Sequence, residues 1–318
     1  LTSTQTHLLI GGAGFIGRHV AFGLLRRAQR IIVADRVTPE RGDTLASECV
    51  EFINLDLTTA DWDELICDVD VVHLYAWSSI PASANANPLG DLHANLGVTL
   101  GLLEALRRRG RGRLVFTSSG GTVYGRVEDA PIPEYHRLSP ITAYGAGKAT
   151  AELYLGLYRE LYGLDCRIAR LSNPYGAGQD TVRGQGAVTT FIHRALDGEK
   201  IVIWGDGSVV RDYVHISDVV NALISLADIP VIHGSAIYNV GSGEGHSLND
   251  IVAELERQLG RELSVMRNKP RPFDVPVNIL DISRAKRDLS WGPSVSFADG
   301  VARTIDDIRR GASLSFLQ

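Results

Sequence analysis

A chain of 318 residues, 44% hydrophobic and 22% charged, can bury a large core, and its net charge of −5 argues against a nucleic-acid-binding surface. No apolar run reaches the roughly 18 residues of a membrane-spanning helix, so no membrane partner is expected. Three scattered cysteines (Cys49, Cys67 and Cys166) form no paired spacing, which implies a reduced, cytoplasmic setting and no metal site. The opening LTSTQTH is polar and does not read as a signal peptide.

His7–Ile10 reads as a short buried strand. It runs into Gly11-Gly-Ala-Gly14-Phe15-Ile16-Gly17 and then into a helical run from Arg18 to Arg30. A second apolar strand, Ile31–Ala34, ends at Asp35. In such a strand–glycine–helix unit the first glycine permits a tight turn. The second lets the backbone approach a pyrophosphate, and the third lets helix and strand pack closely. An acid after the second strand accepts hydrogen bonds from an adenosine ribose, so the segment predicts dinucleotide binding. A carboxylate at Asp35 would repel a 2′-phosphate and favours NAD over NADP, although Arg36 beside it could pair with that phosphate.

Further strands are expected at Phe52–Leu55, closed by Asp56 and Leu57, and at Val69–Leu74, ending at Tyr75 and Ala76. Asn95 begins a long helical pattern that ends in Arg107-Arg108-Arg109-Gly110, three cations at a helix C-terminus before a glycine cap. Arg113–Ser119 is a fifth strand, a helix follows around Tyr144 to about Tyr162, and Asp165–Leu171 is a sixth strand. Strands alternating with helices predict an α/β fold, a doubly wound parallel sheet covered on both faces. Ligands of such sheets sit beyond the C-terminal strand ends. Asp35, Asp56, Ala76, Ser118, Ser119 and Asn173 all fall at those ends.

Tyr144 and Lys148 are four apart and share a helix face near the end of the serine-bearing strand. A cation beside a phenol lowers its pKa from roughly 10, making it an acid/base for an alcohol.

GGAGFIG, Asp35, Asp56-Leu57, the Ser118-Ser-Gly-Gly-Thr-Val-Tyr-Gly125 segment and Tyr144-x-x-x-Lys148 resemble the extended short-chain dehydrogenase/reductase family. Within it the chain is most similar to the NAD-dependent nucleotide-sugar epimerases and dehydratases, above all the UDP-glucose (UDP-galactose) 4-epimerases, over essentially its whole length. The resemblance implies a Rossmann-type NAD domain in residues 1–172, rejoined by pieces at about 209–235 and 277–290, and a smaller, non-contiguous C-terminal α/β substrate domain in 173–318. It implies NAD contacts at Gly11, Gly14, Phe15, Ile16, Gly17, Asp35, Arg36, Asp56, Leu57, Leu74, Tyr75, Ala76, Asn95, Thr117, Ser118, Tyr144 and Lys148. Ser78, Gly120, Gly121, Asn173, Arg211, Arg271, Asp274 and Asn278 would contact a UDP-sugar. A homodimer is implied, paired through the two long helices.

The implied reaction is inversion at C4 of a UDP-hexose through a 4-keto intermediate, with Tyr144 as acid/base and Lys148 beside it. Relatives carry a serine or threonine four residues before the tyrosine of the VYG segment, where this chain has Gly120. Thr122, two residues on and on the same side of an extended segment, is expected to take that role, with Ser119 second. Dehydratases carry Asp-Glu at the positions of Gly121-Thr122, and decarboxylases Glu at the second. Neither acid is present. A 4-keto-sugar reductase needs only the tyrosine and lysine and is the alternative enzyme; a non-catalytic NAD-binding sensor is the alternative outside enzymes. Asn278, smaller than the tyrosine that excludes N-acetyl sugars in relatives, implies that UDP-GlcNAc and UDP-GalNAc are accepted.

Overall fold

The computed structural model describes residues 4–38, 45, 49–181, 186–232, 234–270 and 275–311. The expected sheet is present. Strands β1 (Thr6–Ile10), β2 (Arg30–Asp35), β3 (Val50–Asn54), β4 (Val71–Leu74), β5 (Arg113–Ser119) and β6 (Asp165–Leu171) pair in parallel in the order β6-β5-β4-β1-β2-β3. A seventh strand, Ile237–Val240, adds in parallel outside β6. The chain winds outward from β1 to β3, then returns to β4 on the other side of β1. That reversal opens a crevice at the C-terminal ends of β1 and β4.

The inner strands are mainly apolar on both sides because helices cover both faces, whereas edge strand β3 exposes Glu51 and Asn54. Leu9, Val33, Val71 and Val115 face one core, against Val20 and Leu24 of helix Phe15–Leu25 and Val219 and Leu223 of helix Ile216–Asp228. Their neighbours Leu8, Val72, Leu114 and Phe116 face the other, against helices Pro88–Arg109 and Ala143–Tyr162. A third cluster, including Phe191, Ile201, Leu255 and Val301, joins helices Ala187–Leu196, Leu248–Leu259 and Phe297–Arg309 to the pair Ile201–Trp204 and Val265–Asn268.

Two helices begin earlier than the sequence pattern indicates. The first starts at Phe15, directly on the glycine loop. The long helix starts at Pro88, not Asn95, because proline suits a first helical position and Asn87 caps it by accepting from the Gly90 N–H at 3.0 Å. Gly110 ends it in the left-handed conformation, as expected (φ 69°). The arginines before it serve structure: Arg107 pairs with Glu104, Arg108 with Asp63, and Arg109 donates to the Val69 carbonyl. His73 is fully buried, its Nε2 3.0 Å from His7 Nδ1 and its Nδ1 2.9 Å from the Tyr75 hydroxyl. Burial pushes both imidazoles down, His7 to about 4, so both are neutral inside the sheet.

Candidate functional site

A single cleft of about 1200 Å³ runs from the glycine loop, past the ends of β4 and β5, to the C-terminal part of the chain. Gly11, Gly14, Phe15, Ile16 and Gly17 line its first end. Gly11 has φ +78°, and an added Cβ would lie 2.5 Å from the Ala76 nitrogen, so no other residue fits where the loop crosses β4. An added Cβ at Gly17 would lie 2.6 Å from the Gly11 carbonyl oxygen, which is why the helix can seat so closely on the turn. Asp35 closes β2 and accepts from the N–H groups of Ala13 (3.0 Å) and Val37 (3.1 Å). Its carboxylate thereby ties the glycine loop to the cleft wall, with Arg36 beside it on the same wall. Asp56 accepts from the Thr58 N–H and hydroxyl, which hold its carboxyl below the usual range, and Leu57 lines the cleft beside it. This is a cradle that side chains would fill, with an acid at its rim, and it fits a dinucleotide.

Tyr75 and Ala76 line the cleft at the end of β4, but Leu74 does not. Leu74 is core, 1% exposed, because alternation along the strand turns it inward. Its carbonyl accepts from the Thr117 hydroxyl at 3.2 Å. Asn95 fastens the next stretch: its Oδ1 accepts from the Ser78 N–H at 2.8 Å while its Nδ2 donates to Asp91. Thr117, Ser118, Ser119, Gly121 and Thr122 line the cleft at the end of β5. Ser118 turns its hydroxyl away, bonding the Glu152 carboxylate, itself held by Arg170 at 2.6 Å in a buried pair.

Gly120 and Asn278 depart from expectation. Gly120 does not line the cleft. The backbone bends there, with the Gly120 N–H donating to the Leu171 carbonyl at 2.7 Å. An added Cβ would point at Leu280, 2.6 Å from its Cδ1. Asn278 is fully buried behind that bend, its Nδ2 donating to the Gly120 carbonyl at 3.1 Å. A residue sealed there braces the loop and cannot gate the sugar, so the substrate contacts expected of Gly120 and Asn278 are corrected.

Thr122 has the opposite placement. Its hydroxyl is shielded, yet has no hydrogen-bond partner among the described residues. Its carbonyl abuts Gly145, where an added Cβ would lie 2.7 Å away, so Thr122 is pressed against the helix turn carrying Tyr144.

Tyr144 and Lys148 stand on one face of helix Ala143–Tyr162, which Thr142 caps by accepting from the Gly145 N–H at 3.1 Å. Both line the cleft. Lys148 Nζ donates to the Thr117 carbonyl at 2.7 Å and lies 5.9 Å from the Tyr144 ring centroid. Burial, with Asp91 adding to it, pushes the Tyr144 phenol well above its ordinary value. Burial likewise brings Lys148 down to about 7, against the pull of Glu152 and Asp91. Burial thus moves the phenol in the direction opposite to the lowering that the spacing implies.

At the far end Asn173 lines the cleft, its Nδ2 donating to the Asp212 carbonyl at 2.9 Å. Arg211 lines it too, its Nη1 donating to the Val210 and Val275 carbonyls at 2.8 and 2.6 Å. Asp212 turns inward, its carboxylate accepting from Ser242, Gly243 and Leu280, and burial pushes its pKa up. Arg271 and Asp274 lie outside the described residues. Sequence reasoning missed the weight of Trp77 and the presence of Phe191, Arg194 and Trp204 on this wall. Trp204 is 39% exposed, and the only signal for it in the sequence was a tryptophan directly before the Gly205-Asp206-Gly207 turn. Among the described residues no three His, Cys, Asp or Glu side chains group to hold a metal ion, and no helix is long and apolar enough to cross a membrane.

Residues 7–241 match the model of the NAD dependent epimerase/dehydratase family. The UDP-glucose 4-epimerase of Mycolicibacterium smegmatis is 35% identical over 309 residues, covering 95% of this chain and 98% of that protein. The crystal structure of Thermotoga maritima UDP-glucose 4-epimerase with UDP-glucose superposes with a TM-score of 0.90 at 32% identity, covering 96% of this chain and 99% of that one. That of the Thermus thermophilus UDP-glucose 4-epimerase complex with NAD gives 0.87 at 32% identity, with the same coverage.

Proposed function

The chain belongs to the NAD-dependent epimerase/dehydratase family, and we propose that it inverts C4 of a UDP-hexose, interconverting UDP-glucose and UDP-galactose through a 4-keto sugar. The observation that carries this reading is the continuity of the cleft, which joins a dinucleotide cradle, the Tyr144–Lys148 face and the Asn173–Arg211 wall without an acid at Gly121 or Thr122. The acids that dehydratases and decarboxylases carry at these two positions are thus missing here.

When bound, NAD supplies the acceptor for the C4 hydride and its return. Gly11, Gly14 and Gly17 would let the backbone approach its pyrophosphate, and Asp35 would accept from its adenosine ribose. Tyr144 takes the C4 hydroxyl proton and later gives it back. Its phenol is raised by burial, so it becomes a base only when positive charge is brought beside it. Lys148, on the same helix face, would supply that charge. The unpartnered Thr122 hydroxyl is the hydrogen-bond partner for the same sugar oxygen, with Ser119 second. Asn173, Arg211, Arg271 and Asp274 hold the diphosphate and uridine ribose, where guanidinium forks suit phosphate. With Asn278 sealed away, acceptance of N-acetyl sugars falls to the residues at Trp77, Ser78, Ser79 and Tyr175.

Residues 1–172 form the NAD-binding part, rejoined by pieces at about 209–235 and 277–290, and 173–318 mainly the substrate part; helix Ile216–Asp228 and strand Ile237–Val240 packing on the large sheet support a non-contiguous division. A second copy of the chain covers an apolar face: Leu153, Leu157 and Leu161 recur four residues apart on one helix, 69%, 45% and 61% exposed, with Leu89 and Leu92 on its neighbour. Sedimentation of Leu157→Glu/Leu161→Glu as a monomer supports this, and an unchanged mass contradicts it. A cytoplasmic location suits three free cysteines. The function is tested with a panel of UDP-, GDP- and dTDP-sugars and no added cofactor. C4 inversion of UDP-glucose supports the reading; turnover only with added NADPH and a 4-keto sugar makes the protein a reductase.

A further inference from the structure

Between Tyr144 and Lys148 the helix presents Gly147, and the ring of Trp77 fills the space this leaves. An added Cβ at Gly147 would lie 3.2 Å from Trp77 Cζ2. Lys148 Nζ lies 3.9 Å from the Trp77 ring centroid and 4.7 Å from that of Phe116. The Tyr144 ring meets Trp77 edge-on, with centroids 6.2 Å apart. An ammonium has three donors. One reaches the Thr117 carbonyl, and the two aromatic faces stand where water or a carboxylate would otherwise be. The titratable and charged groups facing Lys148 are Tyr144 and Glu152 on its own helix and Asp91 on helix Pro88–Arg109, with Arg170 of β6 paired to Glu152 behind.

We propose that Trp77 is a positioning residue for the proton-transfer pair: its indole face caps the Lys148 ammonium and its ring buttresses Tyr144, so that the cation stays charged and fixed in a water-poor cleft. The inference rests on the reading of Tyr144 and Lys148 as that pair. An aromatic quadrupole attracts an ammonium and gives a neutral amine no comparable stabilisation. Burial works the other way, bringing Lys148 to about 7, where half the cation would be lost at neutral pH. The ring therefore acts on the one equilibrium that would disarm the site. Phe116 alone is a weaker cap, being farther away and lacking the indole.

The test uses the full-length protein labelled with fluorotryptophan, the Trp77 fluorine resonance being assigned by its loss in Trp77→Phe. The resonance is followed from about pH 6 to about pH 10, through the range of a buried lysine. We expect a titration step that is absent in Lys148→Met. In the inversion assay, Trp77→Leu should move the alkaline limb of the pH profile down by about one unit, with Trp77→Phe in between. A Trp77 resonance that does not titrate, or titrates equally in Lys148→Met, overturns the proposal, as does an unchanged profile in Trp77→Leu. If the wild type inverts no nucleotide sugar, the functional reading fails, and the resonance still decides whether the ring caps the cation.

Discussion

Gly120→Ser restores the hydroxyl that relatives carry at this position, and the geometry predicts that it harms the protein without helping the chemistry. A Cβ built on Gly120 lies 2.6 Å from Leu280 Cδ1, 3.0 Å from its Cδ2 and 3.2 Å from the Arg170 carbonyl oxygen. Leu280 is fully buried and the carbonyl belongs to a central strand, so neither has room to retreat. Overpacking of this kind costs ~1–3 kcal/mol. The added hydroxyl would also point at leucine methyls and not into the cleft. Urea denaturation should therefore give a lower midpoint for Gly120→Ser, and turnover should not exceed wild type. The variant should also fail to rescue Thr122→Val. Leu280→Ala should cost ~2–5 kcal/mol alone, and the double variant less than the sum of the two, because the cavity of one receives the Cβ of the other. A Gly120→Ser protein as stable as wild type, with turnover raised several-fold, would refute the reasoning, since the serine would then have reached the cleft.

Thr122→Val, which keeps the shape and loses the hydroxyl, should lower kcat about 10²-fold with stability little changed, whereas Ser119→Ala should cost far less; steady-state kinetics of both decide it. Asp35→Ala should weaken NAD binding about tenfold by calorimetry, since it removes the ribose acceptor and frees the Ala13 N–H of the loop. Lys148 has its folded pKa depressed from 10.5 to about 7 by burial, so its charged form opposes folding. Below about 7 that penalty is fully present, and it is relieved as pH rises toward 10.5, where the unfolded chain also loses the proton. The stability advantage of Lys148→Met over wild type should accordingly shrink between those limits, and a pH-independent difference would contradict the burial.

The parallel sheet and the dinucleotide cradle were legible because their physics is local. A glycine that must take φ +78° against Ala76, an acid at a strand end and continuous apolar strands each leave a mark in a few consecutive residues. The strand Ile237–Val240 was not legible in that way. It is a four-residue edge strand whose place beside β6 is set by long-range pairing. The start of the long helix was hidden because Pro88 and Asn87 read as loop residues in sequence and act as N1 and cap in three dimensions. Within the site, Tyr144 and Lys148 were recognisable by spacing, but their electrostatics were not. The spacing says that phenol and ammonium share a face. Burial decides that the phenol rises and the ammonium falls. Gly120 and Asn278 misled for a related reason: a one-residue bend at the end of β5 swaps which positions face the cleft, and Leu280, far away in sequence, fills the other side.

The most direct measurement follows UDP-galactose deuterated at C4 through the purified protein without added cofactor. The account predicts UDP-glucose that keeps its deuterium at C4, since the same hydride leaves and returns within one cleft, and no turnover in Tyr144→Phe. Deuterium lost to solvent, or full turnover in Tyr144→Phe, would contradict it.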